Sequence, residues 1–218
     1  MAARPPWSRI APVGNMYRWA YYSPGSLTTA NGQNTGTMSY SIFSMQWAST
    51  SKIFQPTQIE INWSLATTFT TSADLAFGLF FVRAFTTAPS GGTQATFTAT
   101  NTTLSGAFDT NFGTTSFASA GDLRIATTGN LTAGTGNIDK YPLRVWMGNA
   151  AISAGVAGQS SQNAIYTPWE LGNDPNTQTI WVRYQEGLSL QPMATMGAAG
   201  VINFSVGIEW IEMPSQFY

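Results

Sequence analysis

The stretch from Val201 to Glu212, VINFSVGIEWIE, decides the fold. Ile202, Phe204, Val206, Ile208 and Trp210 share one parity; Asn203, Ser205, Gly207 and Glu209 share the other. Successive side chains of a strand point to opposite faces, so this alternation predicts a strand with one buried and one polar face. IEINWSL repeats it: Ile59, Ile61, Trp63 and Leu65 alternate with Glu60, Asn62 and Ser64. Leu75 to Phe85 is apolar on both parities, with Leu75, Phe77, Leu79 and Phe81 set against Phe80 and Val82. That pattern predicts a central strand covered twice. Shorter runs predict strands at 17–22, 37–47, 94–100, 143–147, 178–185 and 188–190.

Helices have little to build on. Charged residues make up 9% of the 218, against 29 Thr and 20 Ser, so the Lys, Glu and Arg of an exposed helical face are too few. Pro and Gly in APSGGT (Ala88 to Thr93) and GNDPN (Gly172 to Asn176) supply turns. The expected fold is all-β: an antiparallel β-sandwich, jelly-roll-like, with long Gly/Ser/Thr loops and an extended N-terminal arm. The arm covers residues 1–15 and a single β-sandwich domain covers 16–218. Residues 106–121, 127–138 and 155–164 read as the long loops.

Composition narrows the function. With 13 Phe, 8 Trp and 8 Tyr the chain can build a core, so its low charge is not the signature of disorder. The net charge of −1 and the scattered Arg and Lys give no field for nucleic acid or an anionic membrane, and neither partner is expected. No Cys and no His occur, which removes thiolate and imidazole metal sites and the commonest general base. Ten acids remain. Glu209 and Glu212 lie three apart on the predicted last strand and point to opposite faces, so they cannot converge on one glycosidic bond. No enzyme activity, cofactor or metal is expected. The N-terminal stretch MAARPPWSRIAPVGN lacks an apolar signal core, so synthesis in a cytoplasm is expected.

Trp19 to Ser51 contains no charged residue. Uncharged polar surface supplies hydrogen bonds without the desolvation cost of a buried ion, and interface cores are depleted in Lys, Glu and Asp. TMSYSIFSMQW, Thr37 to Trp47, is apolar or mildly polar on both parities, and one of its faces is expected to be covered by a neighbouring subunit. Arg4, Arg9 and Arg18 precede the first acid, Glu60, and Pro5, Pro6 and Pro12 keep the arm extended. The interface candidates are Arg4, Trp7 and Arg9 in the arm, and Met38, Tyr40, Ile42, Phe43 and Met45 in the uncharged strand. Trp63 and Trp210 read as core, and Trp181 as outward-facing.

The order of these features resembles tailed-bacteriophage virion structural proteins. It runs from TMSYSIFSMQW through KIFQPTQIEINWSL and LFFVRAFTTAPSGGT to TIWVRYQEGLSLQ, the turn MGAAG and the closing IEWIE. The resemblance covers most of the chain and is one of layout and composition. It implies a capsid cement (decoration) protein, or a tail-associated β-sandwich protein, that forms a homo-oligomer, commonly a trimer. The implied partners are its own copies and the major capsid protein or other virion proteins, and the implied location is the virion. The alternative is a tail or receptor-binding protein that touches host glycans through exposed aromatics.

Overall fold

The structure, a computed structural model, describes residues 15–27, 38–67, 73–95, 122–132, 134–150, 162–166, 180–194 and 200–215. In chain order the strands are β1 (Asn15–Leu27), β2 (Phe43–Gln46), β3 (Lys52–Thr67), β4 (Ala73–Thr87) and β5 (Thr93–Gln94). They continue with β6 (Asp122–Ile125), β7 (Thr135–Ile138), β8 (Arg144–Ala150), β9 (Gln162–Tyr166), β10 (Gly187–Pro192) and β11 (Val201–Pro214). One 3-10 turn, Met38–Tyr40, precedes β2.

All ladders between these strands are antiparallel, in two sheets. One has the order β1-β11-β3-β9; the other runs β5-β6-β2-β10-β4, with β7 and β8 end to end along the far side of β4. The chain alternates between them, with β1, β3, β9 and β11 in the first and β2, β4, β10 in the second. With β5 and β6 set aside as an extension beyond β2, β1-β11-β3-β9 and β2-β10-β4-β7/β8 are the two four-stranded sheets of a jelly roll.

The alternation found in the sequence places the core between the sheets. Ile59, Ile61 and Trp63 from β3 join Ile202, Phe204, Val206, Ile208 and Trp210 from β11, all buried. Against them lie Phe43, Met45, Leu79, Phe81, Leu188 and Leu190 of the larger sheet. Phe77 spans the gap, edge-on to Trp63 with ring centroids 5.0 Å apart and 5.8 Å from Phe204. On the outer face of the smaller sheet Glu60, Asn62, Ser64, Asn203, Ser205 and Glu209 are half-buried. β4 is buried on both parities, as its sequence demands: Phe80 and Val82 on one side, Phe77, Leu79 and Phe81 on the other. Val82 and Phe85 form a second small cluster with Met38, and Ile138 packs on it.

Four expectations change. The segment 37–47 is not one strand: Met38–Tyr40 is a 3-10 turn and only Phe43–Gln46 pairs. The Ser41 hydroxyl and N–H both donate to the Met38 carbonyl, which closes a local turn that competes with strand pairing. Residues 178–185 do not form a strand in their described part, 180–185. Val182 makes an isolated bridge to Phe54, and the chain then turns at Gln185, whose φ is 60°. Residues 127–138 are more than a loop, because Thr132 bridges Ser90 and β7 pairs with β4. β9, likewise, begins inside the expected loop 155–164. The expected loop 106–121 lies outside the described residues, as does the arm up to Gly14.

Candidate interaction surface

Arg4, Trp7 and Arg9 lie outside the described residues. Met38, Ile42, Phe43 and Met45 are 0–3% exposed within a single chain. The expectation that a neighbouring subunit covers one face of this segment is therefore corrected. β6 and β10 flank β2, Phe43 and Met45 point into the sandwich, and Met38 closes over Val82 and Phe85. Tyr40 is half-buried, and its carbonyl accepts a hydrogen bond from Asn130 Nδ2 at 2.9 Å. Trp47, Trp63, Trp146 and Trp210 are buried, and Trp181 is half-buried.

The charged groups are spread out. Glu212 is 3% exposed; Lys52 Nζ lies 3.0 Å from its Oε2, and Trp210 Nε1 donates to Oε1 at 3.3 Å. Glu209, on the opposite parity, is half-buried on the outer face. Arg124 pairs with Asp122 at 2.9 Å. Among the described residues no three His, Cys, Asp or Glu side chains gather where they could hold a metal ion. Among the same residues no helix is long and apolar enough to cross a membrane.

The feature that stands out is the outer margin of the larger sheet. β7 and β8 both pair with β4, but between them five residues, Asp139 to Leu143, leave the ladder. The Asp139 N–H donates to the Phe81 carbonyl at 2.8 Å and the Leu143 N–H to the Leu79 carbonyl at 2.7 Å. Opposite the excursion, β4 therefore advances by only two residues. Arg83 holds one foot of it, donating Nε and Nη2 to the two Asp139 oxygens at 2.8 Å each. These hydrogen bonds, with the charges of Asp139 and Glu186, outweigh slight desolvation and raise the Arg83 pKa above its ordinary value. At the tip, Lys140 Nζ lies 5.6 Å from the centre of the Tyr141 ring.

From this excursion into β8 runs a row of exposed apolar side chains: Tyr141 at 74%, Leu143 and Val145 at 37% each, and Met147 at 67%. Trp146, between the last two, turns inward and is buried. The backbone adds a second property. Residues of an antiparallel strand direct their N–H and C=O alternately to the two sides. The Ala76 carbonyl accepts from Met193 N–H on the β10 side, and Leu79 accepts on the β8 side, so Phe77 also faces β8. Its register partner Trp146, and Arg144 opposite Leu79, face back. Val145 and Met147 therefore send their N–H and C=O away from β4, and no described strand pairs with that edge.

Sequence reasoning placed a strand at 143–147 but gave it no role. The signal was present: Leu143, Val145 and Met147 share a parity beside a charge-poor stretch. What the sequence lacked was the neighbour count, because only the topology shows β8 at a margin. The chain matches no family model, no curated protein and no solved structure. The fold itself defines the class, an antiparallel β-sandwich with jelly-roll strand order.

Proposed function

We propose that the protein is a virion structural protein, and specifically a capsid cement (decoration) protein that binds the outer capsid lattice and stabilises it. The observation that carries this reading is the strand order, β1-β11-β3-β9 against β2-β10-β4-β7/β8. Jelly rolls with this layout recur in viral capsid domains and in lectins; as support this is an analogy of fold. The chain's chemistry agrees with it. A 9% charged sequence with an exposed apolar row along β8 is suited to adhesion through uncharged contacts. Repetition by symmetry multiplies contacts that are weak one at a time. The partners in this reading are further copies of the chain, as a trimer or other homo-oligomer, and the major capsid protein.

The test is the copy number of the chain in purified particles, measured by quantitative mass spectrometry against the major shell protein. A fixed ratio near one copy per shell subunit, or one trimer per local threefold, is the expected result. A handful of copies per particle rejects the cement role and moves the protein to the tail. Deleting residues 1–14, which end just before β1, is expected to weaken attachment without altering the thermal unfolding of the sandwich. Unchanged attachment removes the arm from the mechanism.

One observation favours a second reading, a tail or receptor-binding protein that contacts glycans. Among the described residues Tyr141 and Tyr184 are exposed, at 74% and 50%, while four Trp are buried, so among these residues the tyrosines are the most open to stacking on a sugar ring. Binding on a glycan array that disappears with Tyr141→Ala or Tyr184→Ala would favour it over the cement reading.

A further inference from the structure

We propose that two copies of this chain join edge to edge through β8, antiparallel, about a twofold axis passing beside Trp146. Val145 of each copy then stands opposite Met147 of the other. This places together backbone groups that no described strand pairs. The outward N–H and C=O of Val145 and Met147 form two hydrogen-bonded pairs, because residues directly opposite at such positions exchange both bonds.

Side chains follow the same symmetry. Val145 and Met147 occupy one face of β8 and Leu143 precedes them with the same parity, so the twofold places the two rows side by side on one face of the extended sheet. These exposed side chains form a patch smaller than the ~800 Å² per partner of a standard interface. The rows thus supply an interface core, to which a polar rim is added.

Charge permits the arrangement. In this register Arg144 lies opposite Gly148, and the two Arg144 are four residues apart along the ladder, about 13 Å at ~3.3 Å per residue. That exceeds the screening length of about 8 Å at physiological salt. Arg83 is already balanced by Asp139 in its own chain. Proteins guard strand edges with Lys, Pro or bulges. Lys140, Pro142 and the excursion guard the approach to β8, but Val145 to Met147 carries no such device. A contact between identical edges closes at two copies and forms no fibre.

The inference rests on the fold and the open edge, not on the virion reading, and it is tested without any particle. The full chain is run in sedimentation equilibrium at increasing concentration. Masses of twice the 23.4 kDa chain, or even multiples of it, are expected. The double variant Val145→Lys/Met147→Lys sets like charges directly opposite each other twice and is expected to weaken association about a hundredfold, with unchanged circular dichroism. The variant Val145→Glu/Met147→Lys sets opposite charges across the same two positions and is expected to regain at least tenfold of that loss. A wild type that stays monomeric at about 100 μM, or a Lys/Lys variant that keeps the wild-type mass, overturns the proposal. A Glu/Lys variant no tighter than the Lys/Lys variant overturns the twofold register.

Discussion

β11 and β8 both alternate apolar and other residues, yet they dispose of them in opposite ways. In β11 the apolar parity, Ile202 to Trp210, is buried, and β1 and β3 flank the strand along its length. In β8 Val145 and Met147 are exposed, as is Leu143 just before it, Trp146 is buried, and among the described strands only β4 pairs with it. Alternation in a sequence therefore shows that two faces differ. It does not show what lies against the apolar one; that depends on how many neighbours the topology supplies.

Substitutions break this comparison most sharply where the strand is closed. Phe204→Ala removes the ring that meets Phe77 at 5.8 Å and is expected to cost about 3–5 kcal/mol, read from the denaturant midpoint. A loss under 1 kcal/mol would mean that the two sheets are not locked at this point. Gly187→Ala tests the same closure in β10. A methyl group there runs into the Met45 carbonyl oxygen and comes within 2.7 Å of Phe85, so about 3 kcal/mol of destabilisation is expected by chemical denaturation.

Lys52→Ala is expected to cost less. It removes the cation beside the buried Glu212 carboxylate, which keeps its hydrogen bond from Trp210 Nε1; Lys52 is 37% exposed and water screens the pair, so the cost is about 1–3 kcal/mol. The Glu212 stabilisation should then be partly restored by Glu212→Gln in the same background, measured as a double-mutant cycle. Met147→Lys, on the open strand, is expected to change the unfolding free energy of the single chain by no more than about 0.5 kcal/mol. A large loss there would mean that the β8 row is packed rather than free.

The parts of the fold legible in the sequence are those in which side chains report burial. β3 and β11 are long with apolar residues at every second position, β4 is apolar on both parities, and the described residues of all three lie on the faces read from the sequence. β7, with the sequence TGNI, had no such signal. Thr135 and Asn137 are exposed, and the strand exists because its backbone pairs with β4. β9 begins with polar Gln162 and Asn163 and was hidden in the same way. Around Met38 to Trp47 the sequence correctly indicated cover on two sides but misassigned its source. The turn at Ser41 folds Met38 back onto Val82 and Phe85, a long-range contact that composition cannot reveal. The open margin at β8 was unread for a related reason, since an edge is a property of strand order.

The excursion from Asp139 to Leu143 carries a consequence for change over evolutionary time. Its two feet are fixed to Phe81 and Leu79 by backbone hydrogen bonds, so what lies between them can lengthen or shorten without moving β4. Doubling a flexible loop adds only about 0.6 kcal/mol of closure entropy. Residues 140–142 thus form a socket for foreign sequence, open both to natural drift and to a deliberately grafted peptide.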